Sequence, residues 1–283
     1  METNTANQLK ELVKEKYGAI ANQSKEQNET SCCGATSCCT TLDYTIMSDN
    51  YDKLEGYNPE ADLGLGCGLP TEFALIKAGD TVVDLGSGAG NDCFVARAVV
   101  GDTGKVIGID MTEAMIHKAK ENTSKLGFSN VEFRLGDIED IPLASNKADV
   151  VVSNCVLNLV PDKVMAFKEV FRILKPGAHF SISDVVLDGD LPESILKEAE
   201  MYAGCISGAL QKKEYLQIIE NAGFKNIMVQ KQKSIVIPEE MLMNFLTPQE
   251  NRAYQESGKG IYSITVYGEK PETNCCAPGT GCC

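Results

Sequence analysis

The stretch Thr81-Val82-Val83-Asp84-Leu85-Gly86-Ser87-Gly88-Ala89-Gly90 reads as a short buried strand that runs into a glycine-rich turn. An apolar helical run over 93–100 follows it. Strand, turn and helix open a repeating pattern. Residues 105–110 (KVIGID) read as a second strand, 131–135 as a third and 148–153 (ADVVVS) as a fourth. Between the second and third, 112–126 reads as a helix with Met115, Ile116 and Ala119 on one face. A helix over 164–174 is stopped by Lys175-Pro176-Gly177, and a fifth strand is expected over 179–186. Strands that alternate with helices pair in parallel, so the expected fold class is α/β: a doubly wound, mostly parallel sheet. Helical segments near 192–204 and 211–222 follow, then strands over 227–237 and 260–270.

The flanks differ from this core. A short helical pattern (Leu9, Leu12, Val13, Ile20) gives way to a polar, Cys-rich stretch over 21–42, read as a flexible arm. Pro59, Gly64, Gly66, Gly68 and Pro70 mark 58–70 as a loop. The end, 271–283, is rich in Pro, Gly and Cys and reads as a mobile tail. The expected organisation is a helix and arm over 1–50, a ligand-binding α/β domain over 51–190, a substrate-binding addition over 191–270 and the tail.

Composition narrows the function. At 283 residues and 43% apolar, the chain can bury a sizeable core. Its net charge is −14 and Lys and Arg do not cluster, which argues against nucleic acid as a partner. No apolar run of 18 residues or more occurs and the start has no signal-peptide core, so no membrane association is expected and a cytoplasmic location is. Twelve cysteines in so long a chain read as reduced thiols rather than a disulfide scaffold.

The glycine loop lies where doubly wound sheets bind ligands, at the carboxyl edge. Its spacing is G-x-G-x-G, with Asn91 at the third glycine position of the dinucleotide fingerprint. A glycine loop alone is weak evidence. Here an acid stands at the end of the first strand, Asp84, another ends the second, Asp110, and Asp137 in Gly136-Asp137-Ile138 follows the third. An acid at Asp110 can accept both hydroxyls of a ribose, and Asp137 is placed to meet an adenine amino group. The set, over roughly 70–190, resembles the class I S-adenosylmethionine methyltransferases. The resemblance implies a Rossmann-like methyltransferase sheet. In it Asp84 and the loop of Gly86, Ser87, Gly88 and Gly90 hold the methionine part. Asp110 with Met111 holds the ribose, and Asp137 with Ile138 the adenine. Asn154, just after the fourth strand, completes the expected cofactor contacts.

Three isolated cysteines fall where loops reach the same edge. Cys155 follows the fourth strand, Cys67 sits in Gly64-Leu-Gly-Cys67-Gly68, and Cys205 in Gly204-Cys205-Ile-Ser-Gly-Ala209 follows the fifth. Taken singly, each reads more readily as a small buried hydrophobe, as Cys93 does on the first helix. Together, three thiolates suit a soft ion. Zinc wants four ligands in a closed tetrahedron. Trivalent arsenic wants three and keeps a lone pair on its open face. The two histidines, His117 and His179, occupy no obvious catalytic position, and an arsenic lone pair carries no proton for a base to remove.

These motifs resemble the arsenite methyltransferases over roughly 12–270. The residues carrying the match are Tyr17-Gly18 before a Cys-rich arm, the Cys67 and Cys205 contexts, Asp84 to Cys93, Gly108-Ile-Asp-Met111-Thr, and Ser153-Asn-Cys155-Val-Leu-Asn-Leu-Val-Pro-Asp162. Leu69 departs from the asparagine often found there. The resemblance implies that Cys67, Cys155 and Cys205 bind As(III), and that Cys32 or Cys33 takes part in early substrate binding and in redox turnover. The implied cofactor is S-adenosylmethionine. Trivalent arsenic, free or as a thiol conjugate, is the substrate, and a thiol reductant of thioredoxin or glutathione type is the co-substrate. The other readings are a small-molecule C- or O-methyltransferase with incidental cysteines, and a thiol-based metalloid-binding protein.

Overall fold

The computed structural model describes residues 2–23, 50–189, 208–235, 247–256 and 260–272. The expected helix over 192–204, the arm and the tail thus lie outside the described residues, apart from their edges.

Seven strands form one sheet: β1 (Thr81–Leu85), β2 (Lys105–Asp110), β3 (Val131–Leu135), β4 (Ala148–Asn154), β5 (Leu174–Asp188), β6 (Lys225–Ile235) and β7 (Gly260–Glu269). Their order is β3-β2-β1-β4-β5-β7-β6. The first five pair in parallel, and β7 runs antiparallel between β5 and β6. The crossover helices are α3 (Asn91–Val100), α4 (Glu113–Leu126) and α5 (Lys163–Ile173), preceded by α1 (Glu2–Ala21) and the single turn α2 (Pro70–Phe73). α6 (Lys212–Asn221) and α7 (Pro248–Glu256) follow.

The doubly wound expectation holds, and alternation in the strands explains it. Val82, Val106 and Val150 face a core shared with Phe94, Met115 and Ile20, whereas Val83, Ile107 and Val151 face Phe167, Ile173 and Tyr215. Each central strand buries both faces, so helices must cover both sides. β6 and β7 belong to this same sheet and extend it beyond β5.

Two boundaries differ from the reading of the sequence. Helix α3 starts at Asn91, two residues before its apolar run, because Gly90 (φ 100°) makes the turn. Lys175-Pro176-Gly177 does not separate a helix from a later strand. α5 ends at Ile173 and β5 begins at once, pairing Leu174 with Ala148 and then His179 with Val150. The Pro-Gly pair is therefore a bulge inside a 15-residue strand, closed by the Gly177 N–H to Lys270 O and the Lys270 N–H to Ala178 O.

Candidate active site

A cleft with about 1000 Å³ of empty space, part of it open to solvent, lies over the carboxyl edge of β1, β2 and β4. The glycine loop forms its floor. Gly86 adopts φ 70°, and a Cβ there would run into the side chain of Val156. Only glycine lets the turn pass beneath that valine. The Gly86 and Ser87 N–H groups donate to Ile109 O, which anchors the loop to β2.

Asp110 accepts from Gly88 N–H at 3.0 Å through Oδ2 and from Thr112 N–H at 2.8 Å through Oδ1. Each oxygen keeps a lone pair for a further donor. Asp84 is buried and receives the thiol proton of Cys93, Sγ to Oδ2 3.2 Å. Burial, then the charge of Asp92, pushes the Asp84 carboxyl well above its ordinary range. Asp92, on the first turn of α3, is pushed up to about 6 by burial, against hydrogen bonds from Tyr51, Asn154 and Thr71 that favour its ionised form. Asp137 lies at the far end beside Ile138. Its Oδ1 accepts Glu139 N–H, and Lys10 of α1 reaches its Oδ2 at 2.7 Å.

Five carboxylates line the cleft, from Asp62, Asp84, Asp92, Asp110 and Asp137, and no Lys or Arg among the described residues does. Ser87 Oγ is buried in its wall with no hydrogen-bond partner among the described residues. An acidic, glycine-floored cleft with a waiting hydroxyl suits S-adenosylmethionine. That molecule sets a sulfonium and an ammonium against one carboxylate and brings hydroxyls and an adenine amino group.

Cys155 lines the same cleft and holds a left-handed backbone, φ 59°. Its N–H donates to Ser183 O at 2.8 Å. Cys67 is fully buried under its loop, its carbonyl accepting from Ser263 Oγ. Both thiols lie within electrostatic reach of one phenol. Burial first, then Asp184, and then Cys67 and Cys155 raise the Tyr215 hydroxyl well above its usual pKa. Cys93 is buried on α3, packed as the sequence suggests, yet its thiol also bonds Asp84. Cys205, Cys32 and Cys33 lie outside the described residues. Among the described residues, no group of three or more His, Cys, Asp or Glu side chains is arranged to hold a metal ion. No described helix is long and apolar enough to cross a membrane.

Several site residues were not foreseen. Tyr51 is one: its hydroxyl donates to Asp92 Oδ2 at 2.8 Å. Asp92 carries a usable signal, an acid on the first turn of an otherwise apolar helix just past the glycine loop. Lys10 and Tyr51 carry none, because they reach the site through tertiary packing. His117 is exposed and His179 bonds Ala74 O, so neither lines the cleft.

Sheet order, glycine floor and the ladder of acids define a class I methyltransferase. A methyltransferase-domain family matches residues 76–223, over half of the 283-residue chain. An arsenite methyltransferase of Halobacterium salinarum is 37% identical over 93% of this chain and 67% of its own length. One from Aquipseudomonas alcaligenes is 34% identical over 83% of this chain and 67% of its own. The solved structure of an arsenic(III) S-adenosylmethionine methyltransferase from Chlamydomonas reinhardtii superposes with a TM-score of 0.61 at 33% identity, covering 76% of this chain and 68% of that one. The chain belongs to the arsenite methyltransferase family.

Proposed function

We propose that this protein transfers a methyl group from S-adenosylmethionine to trivalent arsenic held by the thiolates of Cys67, Cys155 and Cys205. The observation that carries the reading is Cys155 in the wall of the acidic cleft, with Cys67 buried near the same phenol. S-adenosylmethionine supplies a methyl group on a positively charged sulfur, which an arsenic lone pair attacks with no proton to remove.

The chain's own residues supply binding and orientation. Asp84 and the Gly86–Gly90 loop, with Ser87, receive the methionine end. Asp110 with Met111 receives the ribose, and Asp137 with Ile138 the adenine. The thiolates fix the arsenic with its open face toward the cleft. No general base is needed, which suits a site without histidine.

Attack leaves arsenic pentavalent. Two thiols then return it to the trivalent state by giving two electrons and forming a disulfide, which an external dithiol of thioredoxin type or glutathione reopens. Cys32 or Cys33 is assigned to this step from the sequence. The paired cysteines at 275–276 and 282–283 read, from the sequence, either as an accessory collector of arsenite or as a plain thiol buffer.

The decisive experiment measures S-adenosylhomocysteine formation with and without arsenite and a thiol reductant. Arsenite-dependent turnover supports the proposal. Turnover only with an organic acceptor assigns C- or O-methylation instead, and arsenite binding without turnover assigns a metalloid-binding protein.

A further inference from the structure

We propose that Asn154 is a positioning residue that clasps the Cys67 loop to the sheet edge and so sets the Cys67 thiol against Cys155, the residue next to it in the chain. The inference rests on the arsenic reading above for its purpose, but not for its geometry.

Asn154 ends β4, half-buried beside the cleft. Its Oδ1 accepts two successive backbone N–H groups of the loop, Cys67 at 3.0 Å and Gly68 at 3.2 Å. Its Nδ2 donates to Gly68 O at 2.8 Å and to Tyr51 Oη at 2.5 Å, and the second of these protons is shared with Asp92 Oδ2 at 3.3 Å. The Tyr51 hydroxyl lies 2.8 Å from Asp92 Oδ2 and 3.2 Å from Gly68 O, and its single proton favours the nearer, charged acceptor. Two acceptor sites and two donor protons are the whole capacity of a carboxamide, and all four are used. The amide orientation is thereby determined: a flipped Asn154 would set N–H against N–H at Cys67 and oxygen against oxygen at Gly68.

The loop is shaped to receive this clasp. A Cβ on Gly66 would come within 2.6 Å of Asn154 Nδ2, and one on Gly68 within 2.5 Å of Ser183 Oγ. The two glycines flanking Cys67 therefore let the backbone lie flat on Asn154 and on β5. Directly and through Tyr51 the clasp also touches Asp92, which lines the cofactor cleft. One side chain thus joins the acid ladder to a thiol 87 residues away in sequence.

A residue that only fills space would tolerate aspartate, which has the same shape. A clasp would not, because the second oxygen of aspartate would face Gly68 O and the Asp92 carboxylate. The test is iodoacetamide labelling of the full-length chain without arsenic, followed by peptide mass spectrometry. Cys93, fully buried on α3, reports global unfolding in the same sample. In Asn154→Ala and Asn154→Asp, Cys67 labelling should rise about tenfold through local opening of the loop, with Cys93 unchanged. Gly66→Ala, which displaces the clasp from the loop side, should do the same and serves if the Asn154 variants do not fold.

The arsenite KM should rise in Asn154→Ala more than S-adenosylmethionine affinity falls. An unchanged Cys67 rate in the folded variants, or a parallel rise of Cys67 and Cys93, overturns the proposal. Because labelling needs no arsenic, a wild-type chain that fails to methylate arsenite refutes the functional reading and leaves the clasp result standing.

Discussion

Lys10 Nζ stands 2.7 Å from Asp137 Oδ2, and 2.5 Å from Glu139 Oε2, so the first helix is tied to the acid assigned to the adenine end of the cleft. Burial lowers the Lys10 pKa, but the bonds and charges of Asp137 and Glu139 more than offset this and leave it raised. At its other end α1 is held by Lys118, which donates to Ala21 O and Gln23 O. Between the two ties, Val13 and Tyr17 line the cleft. Lys10→Met should loosen α1 by about 1 to 2 kcal/mol. Faster hydrogen exchange at 13–20, with the sheet amides unchanged, is the expected result. Equal protection in mutant and wild type would show that the ion pairs contribute nothing to docking.

Asp110→Ala should weaken S-adenosylmethionine binding by about 2 to 4 kcal/mol in titration calorimetry. The loss has two sources: the ribose contacts, and the Gly88 and Thr112 amides that this carboxylate holds. Unchanged affinity in a folded variant would remove Asp110 from the cofactor site.

Serine at Cys67, Cys155 or Cys205 should abolish or severely reduce arsenite methylation while cofactor affinity is retained. Cys93→Ser should leave arsenic stoichiometry unchanged, since a hydroxyl can still donate to Asp84. Cys93→Ala removes that donor and should weaken cofactor binding by about 1 kcal/mol. Full activity of the Cys155 or Cys205 variant would dismiss the three-thiolate site.

Asp184 should make stability fall as pH rises. It is fully buried between Tyr215, which donates to it, and the charge of Lys163, and burial pushes its carboxyl up to about 7. Unfolded, it would lose its proton near pH 4. Between these values unfolding releases a proton, so each step up in pH favours the unfolded chain. Asp184→Asn should therefore gain on wild type as pH rises from about 4 to 7, by on the order of 4 kcal/mol in denaturant midpoints converted to free energy. A pH-independent difference would mean that Asp184 is ionised throughout.

Replacing Cys32 and Cys33 together should slow turnover even at saturating arsenite and reductant. Normal turnover of that double variant would place the redox step elsewhere.

The fold was legible because its signals are local. Strand, glycine turn and apolar helix follow one another within about 20 residues, and the acids at 84, 110 and 137 each lie within two residues of a strand's end. Punctuation misled at Pro176-Gly177, where a breaker pair serves as a bulge that the partner strands tolerate. The contacts among site residues were not legible. Tyr51 meets Asp92 across 41 residues, and Lys10 meets Asp137 across 127. Such pairs exist only after the sheet has brought distant loops to one edge, and no periodicity announces them.

Cys155 carries one more consequence. Its backbone sits at φ 59°, a region that suits glycine and costs a side-chain-bearing residue about 1 kcal/mol. The most relaxed chain at this position would therefore have no sulfur at all. On the proposed function, a thiol kept there strains the backbone at all times and serves only during turnover. Stability alone would favour glycine there, so the proposed arsenic ligand stands at a position the backbone does not choose for it.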